Sequence, residues 1–595
     1  MSEEPKSIWK KSWKSSGLWI LFVAALAILI ALIVLLIVDH GRIGQDADIF
    51  EIVAGFCFVG ALVALFIRWV FNWKNFRRFL FGCACLITLV ALFYAEEDWR
   101  GKHDWEKFKR QQEAKGEKFD FAGIVPPAVP EDQNFAFSPV WIAEIKADFL
   151  STPERAELWY GDRIFSPAVS NAIPEMASVE GWSGTNIWNH SYSSVLEVPA
   201  IPSGWLDAEI TDLKPWQVYY RQFAKMVPAA GIPIASQPQT PAQDVLLALS
   251  KFDPVIEQLR RDSARPYSRF PIVYDADQPF DILLPHLAAV KRYELILQLR
   301  AISELQNGES GKALADVKLM LRLADSVKAE PFLISHLVRI AVLQITMQPV
   351  YEGLAGHQWS DGQLVELDSE LAKFNLLADY EYSMRGERNA SISAVEGMRR
   401  NREIITFDSN FSVKRTKIAW IIPRAFFIQN ELTIARMHQL YTLPAVDEEK
   451  QLAIPSHIDR LNVEADRELS HHFWPNKIFA RMLFPSLENA ARKFVYSQEL
   501  IDLARTAIGL ERYRLAHGNY PESLDALPSQ FMPQIPHDII DGQPLHYRRT
   551  GDGQFVLYSI GWNETDDGGV VVNYPRSTDR VDIVKGDWVW RYPQK

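Results

Sequence analysis

The sequence predicts a membrane-anchored, mainly α-helical protein: N-terminal transmembrane helices, an α-helical hairpin domain and a small α+β domain at the C-terminal end. Three observations predict this. Long apolar runs crowd residues 1–95, apolar residues recur every three or four positions through much of 241–485, and strand-like runs separated by Gly and Asp follow residue 540. The 595 residues are enough for several domains. We divide them into an anchor (1–95), a charged and Pro-rich linker (96–130), an aromatic-rich irregular region (131–240), the helical domain (241–485) and the α+β domain (486–595).

The anchor comes first. Leu18 to Val38 is an unbroken apolar run without Gly, Pro or charge, long enough as a helix to cross a hydrocarbon core of about 30 Å. A cleaved signal peptide has a shorter apolar core and a small-residue cleavage site, whereas this run leads into Asp39-His40-Gly41. Ile52 to Ile67, continued by Trp69-Val70-Phe71, makes a second span, with Arg68 able to reach the interface. Phe79 to Ala95 makes a third. Trp69, Trp73, Tyr94 and Trp99 stand where amphipathic rings favour the headgroup level. Lys6, Lys10, Lys11 and Lys14 precede the first span, and Arg68, Lys74, Arg77 and Arg78 lie between the second and third. Positive charge stays inside, so the N-terminus and second loop face the cytoplasm, and the large C-terminal region lies outside. Arg100, Lys102, Lys107, Lys109 and Arg110 follow the third span and pull against that orientation.

Trp99 to Lys118 reads as an exposed charged helix, and Pro126-Pro127 and Pro130 then break regular structure. From 131 to 240 neither a helical nor a strand period is sustained. Beyond it, Leu314, Val317, Leu321 and Ala324 form the stripe of an amphipathic helix. Asn307-Gly308 ends the helix before it, Ser310 is a candidate cap, Pro331 suits the first turn of the next helix, and Ser360 with Gln363 reads as a capping box. On Ala301, Leu305, Gly308, Lys312-Ala313-Leu314 and Leu321, the stretch Leu287–Val327 resembles one tetratricopeptide-type hairpin, a scaffold type that implies peptide binding. No second copy recurs at a fixed period.

Composition excludes several chemistries. A net charge of −11 leaves no basic footprint for nucleic acid. Cys57, Cys83 and Cys85 all lie in the anchor, so the rest of the chain has neither a Cys nucleophile nor a thiolate metal site. Neither G-x-S-x-G nor H-E-x-x-H occurs. Gly308-Glu309-Ser310-Gly311-Lys312 has the wrong spacing for a phosphate-binding loop and lies between two helices. Glu468 and His471 have the spacing of a carboxylate-bridged metal site, but the second such pair is missing, so these two and His472 read as a solvated face. Glu381 and Arg385 are placed to pair along a helix.

At the C-terminal end, an apolar stripe from Leu487 to Leu515 predicts a long helix ending at His517-Gly518. A short helix from Glu522 to Leu527, strands Leu545–Arg549 and Gln554–Ile560 joined by Thr550–Gly553, and a last strand around Gly586–Tyr592 follow. On Tyr513-Arg514, His517 to Pro521, Leu524, Leu527, Pro536, Asp538, Gly542, Pro544, Tyr547 and Phe555 to Gly561, this end resembles the globular head of the major pseudopilin of type II secretion systems. A broader resemblance is to bacterial membrane proteins that join a helical region to such an end. The departure is plain: a pseudopilin carries its hydrophobic helix at its own N-terminus, whereas here the helix is internal and amphipathic. The resemblance implies calcium in the loop Gly561–Gly569, with Asp566, Asp567 and Asn563 as ligands, in keeping with calcium's demand for six to eight oxygens. An acidic turn built on Gly568-Gly569 is the plainer alternative.

These readings converge on a multi-pass protein of the bacterial inner (cytoplasmic) membrane. Its partners would be the lipid bilayer and envelope or secretion proteins, and it would act as a non-enzymatic interaction or scaffold protein. The alternative is an envelope hydrolase acting on a carbohydrate polymer. Trp182, Trp188, Trp205 and Trp216 would stack on sugar rings, and Glu180 and Asp207 would serve as acid and base if about 5–10 Å apart.

Overall fold

A computed structural model describes residues 73–149, 198–407, 413–416, 422–469, 487–574 and 581–593, together with Leu65, Trp69, Lys477 and Phe479. The first predicted span and nearly all of the second lie outside the described residues. The chain divides into two compact units, Met1–Arg100 and Gly101–Lys595.

Helix α1, Trp73–Glu113, runs unbroken from the first unit into the second. It joins two elements that the sequence suggested separately, the third span and the charged helix after it. Nothing between Ala95 and Trp99 breaks the helix: no Gly or Pro intervenes, and Arg100 pairs with Glu96 and Glu97 one turn back. Its most apolar 18-residue window has a mean hydropathy of 2.0, and none of that window is buried.

The aromatic-rich region holds more helix than its irregular periodicity suggested. After α2, Pro139–Phe149, comes α3, Lys214–Met226, which buries Trp216, Tyr219, Tyr220 and Phe223 as one stripe. Pro215 suits the first turn, where its missing N–H is not needed. Helices α4, Pro241–Leu249, and α5, Asp253–Asp262, lead to the predicted hairpin: α6, His286–Gln306, and α7, Ser310–Asp325. The turn places Gly308 at φ +78°, a conformation glycine adopts without a Cβ clash. Ser310 is the first residue of α7 rather than its cap, and its hydroxyl meets Gln363 instead.

Helix α8, Leu333–Ala355, starts two residues after Pro331, so that proline precedes the helix rather than opening it. By length and apolarity α8 could also cross a membrane, but 67% of its apolar window is buried in the helical body. A surrounded helix is apolar over most of its surface, and the polar side chains that α8 buries, such as Arg339 against Asp379, are paired. The capping box forms as predicted at α9, Asp361–Leu371, where Ser360 and Gln363 satisfy each other's backbone N–H. Helices α10, Leu376–Asn401, and α11, Arg424–Met437, follow, with a hairpin of β1, Ile404–Phe407, and β2, Val413–Thr416, between them. The two-residue strands β3, Val446–Asp447, and β4, Leu452–Ala453, then precede α12, Pro455–Leu469.

The long helix of the C-terminal end is α13, Leu487–His517, which packs on α8, α9 and α10. The predicted short helix at 522–527 is a single 3₁₀ turn, Leu524–Ala526, because Pro521 and Pro528 bracket it. A three-stranded antiparallel sheet runs β5-β6-β9, with β5 at His546–Arg549, β6 at Phe555–Ser559 and β9 at Trp588–Arg591. A separate pair joins β7, Val571–Asn573, to β8, Val581–Gly586. One hydrophobic core runs from Phe119 to Tyr592.

Candidate functional site

The loop after β6 carries the three residues singled out for calcium. Asn563 Nδ2 donates to Asp567 Oδ2 at 2.8 Å. Asp566 Oδ1 accepts from the Gly568 N–H at 2.9 Å and from the Tyr558 hydroxyl at 3.1 Å. The Gly568 N–H, followed by the Tyr558 hydroxyl and the charges of His546 and Arg548, holds the Asp566 carboxyl below the usual range. The structure therefore brings Asn563 to Asp567 but turns Asp566 toward the sheet. As arranged, the three make no calcium cage: their oxygens already face N–H and O–H donors, where a cation needs convergent oxygens. No group of three or more His, Cys, Asp or Glu among the described residues is placed to hold a metal ion.

The carboxylate that organises this loop is one the sequence reading missed. Asp587, 1% exposed between β8 and β9, accepts the backbone N–H groups of Asp567, Gly569 and Val570 at 3.2, 2.6 and 3.2 Å. Its position ahead of Trp588-Val589-Trp590 looked like strand, and its loop contacts span about twenty residues of sequence, which no local pattern reports.

A groove of about 560 Å³ lies over α7. Gly311, Leu314, Ala315, Lys318, Leu319 and Arg322 line it from α7, Arg260 and Ser263 from the end of α5, and Glu366, Glu370 and Lys373 from α9 and just beyond it. Its volume is in the range of ligand sites. The rim is charge-balanced: Lys318 pairs with Glu366 at 2.8 Å and Lys373 with Glu370 at 2.6 Å. Arg260 reaches the buried Asp316, and Arg322 donates to the carbonyls of Ser263 and Arg265. Such a surface offers apolar contact flanked by exchangeable ion pairs.

A second unforeseen cluster fastens the end of α1 to α10. Glu117 accepts from Arg385 at 3.2 Å and from Arg388 at 2.7 Å. Despite its burial, these two guanidinium groups keep its carboxyl below the usual range. Arg388, with no exposed surface, also donates to the Lys118 carbonyl at 2.6 Å and stacks over Phe119 at 4.3 Å. The predicted Glu381–Arg385 pair exists at 2.8 Å and forms the outer edge of this cluster.

The remaining candidates fall as follows. Lys312 pairs with Glu309 at 2.9 Å on the exposed turn between α6 and α7. Glu468 lies at the end of α12, while His471 and His472 are outside the described residues. Trp205 and Trp216 are buried to 4% and 2% exposure, so neither ring offers a face to a sugar. Asp207 takes a hydrogen bond from Asn573 at 3.3 Å. Glu180, Trp182 and Trp188 lie outside the described residues.

Comparison with protein-family models, with curated proteins and with solved structures returned no match. The fold is that of a mainly helical protein with small antiparallel sheets and, among the described residues, two helices long and apolar enough to cross a membrane, one of them largely enclosed in the helical body.

Proposed function

We propose that this chain is a membrane-anchored interaction or scaffold protein of the bacterial cell envelope, its large C-terminal region on the extracytoplasmic side. The observation that carries the reading is α1: an apolar window in which no residue is buried, continuous with a charged helix that is bolted to the body through Glu117 and Arg388. Uncovered apolar surface on this scale needs lipid or protein around it. The groove over α7 supplies a surface for an envelope or secretion partner, and the sequence resemblance of the C-terminal end to a pseudopilin head supports a place in secretion. The carbohydrate-hydrolase reading keeps only its untested half, since two of its four tryptophans are core residues.

Alkaline carbonate extraction of membranes tests the anchor. The full chain is expected in the pellet, and a variant lacking residues 1–95 in the supernatant. Full-length protein released by carbonate would overturn the reading. A photo-crosslinker at Ala315 in the groove tests the partner: a specific envelope protein is expected, and crosslinks distributed as at an unrelated surface position would remove the groove from the proposal.

A further inference from the structure

Between Pro202 and Thr211 the chain crosses the faces of α6 and α8 as a strap, and the helices hold it in an unusual way. The strap has one 3₁₀ turn, Gly204–Asp207, and otherwise no regular structure. Gln298 of α6 donates to the Pro202 carbonyl at 2.8 Å. Gln348 of α8 accepts the Trp205 N–H at 3.0 Å and donates to the Glu209 carbonyl at 3.4 Å. Glu352, one turn on, accepts both the N–H and the hydroxyl of Thr211, at 3.1 and 2.5 Å. Gln306, at the end of α6, donates to the Thr211 carbonyl at 2.9 Å. Trp205 fills a pocket against Tyr351 and Trp590.

Nearly all of these bonds end on main-chain atoms of the strap. A row of side-chain amides and a carboxylate reading another segment's backbone, with one aromatic anchor, is the chemistry of peptide recognition. Hydrophobic packing alone would not require polar groups at Gln298, Gln348 and Glu352, which are 0%, 1% and 4% exposed. The fit is also incomplete. Gln298 Oε1 is buried without a partner, although its amide nitrogen is fully engaged with the carbonyls of Pro202 and Ile345. The strap offers proline at that place, which has no N–H to give.

We propose that the joint face of α6 and α8 is a peptide-recognition surface and that the strap is its built-in occupant, an autoinhibitory contact. The partner that displaces it is a peptide that makes the same turn, with an aromatic residue six positions ahead of a Ser or Thr, and with a residue other than proline three positions ahead of the aromatic. This deepens the reading of the chain as an interaction protein. Its test uses the purified chain without a partner or an intact membrane, so it fails independently of the anchor and its orientation.

The probe is a labelled synthetic peptide with the sequence Val198–Leu213, offered to the full-length chain in detergent. Wild type, with its own strap seated, is expected to bind it at least tenfold more weakly than Trp205→Ala, whose strap has lost its anchor. Adding Gln348→Ala to that variant should abolish binding. A probe carrying Pro202→Ala should bind roughly 2–10-fold more tightly, the worth of one further hydrogen bond. A Trp205→Ala chain with wild-type helicity that binds no peptide would overturn the proposal. Hydrogen exchange of the wild-type chain decides the matter even if that variant does not fold. The Trp205 and Thr211 amides should exchange through local opening, well ahead of the α8 interior. Exchange of those amides only together with the α8 interior would make the strap an ordinary part of the core.

Discussion

Glu499 stands fully buried on α13 in the company of Asp502, Asp538 and Asp541. Burial first, and then these like charges, push its carboxyl well above its ordinary value, and burial pushes Asp502 up to about 6. The folded chain thus keeps protons at pH values where the unfolded chain has released them. Their contribution is fully present below the unfolded values and is lost as pH rises, through about 6 for Asp502 and higher for Glu499. Denaturant unfolding of the full chain in detergent should show stability falling from pH 5 to pH 8. Glu499→Gln should flatten that fall by about 1.4 kcal/mol for each pH unit over which Glu499 is protonated only in the folded state. An unchanged slope would show that Glu499 is ionised in the fold.

Glu294 reaches the same state by hydrogen-bond counting. The Thr346 hydroxyl lies 2.5 Å from Glu294 Oε1 and 2.9 Å from the Val342 carbonyl, and it has one proton for two acceptors. A proton on Glu294 satisfies both contacts, in keeping with burial raising its carboxyl well above the ordinary value. At Asp587 one carboxylate accepts three half-covered loop N–H groups, so Asp587→Ala should cost about 1–2 kcal/mol by removing those bonds. Since Asn563, Asp566 and Asp567 are engaged with donors of the loop and the sheet, millimolar calcium should leave the thermal midpoint of the wild-type chain unchanged. A calcium-dependent rise would restore Asn563, Asp566 and Asp567 as ligands. Most of these protonation states and long-range bonds cannot be read from spacing, because they depend on burial and on residues from different elements.

Among the elements, helix glycines make opposite predictions according to what lies beside them. A Cβ at Gly386 of α10 would come 1.7 Å from the Pro331 carbonyl oxygen, whereas one at Gly311 of α7 meets nothing within 4 Å. Gly386→Ala should therefore destabilise by more than about 1 kcal/mol despite alanine's better helix propensity, and Gly311→Ala should stabilise by about 0.5–1 kcal/mol. Thermal unfolding of both variants checks the contrast. Arg388→Ala should lower stability by about 1–3 kcal/mol, since it removes the pair to half-buried Glu117 and leaves the buried Asn389 amide oxygen without its donor. Local rules made many elements legible: the turn at Gly308, the capping box at Ser360 and the hairpin after Thr550 formed where residue chemistry placed them. Helix α3 is written in the helical spacing of Trp216, Tyr219, Tyr220 and Phe223, but Pro-rich flanks keep that period from extending beyond thirteen residues. The start of α8 was misjudged because Pro331 satisfies the helix-start rule yet is held against α10, a tertiary contact.

At the scale of the whole molecule, hydropathy alone does not separate α1 from α8. Both are long and apolar; the difference is that α1 bares its apolar window and α8 is wrapped by α6, α7 and α13. That distinction is invisible to composition and appears only when neighbours are placed. The proposed arrangement, a body held outside the cytoplasm by its N-terminal anchor, is tested most directly by protease accessibility in cells with a permeabilised outer barrier. We expect the region after residue 118 to be digested while a cytoplasmic control survives. Protection of that region until the inner membrane is lysed would contradict the claim, and would put the groove and the strap within reach of cytoplasmic partners only.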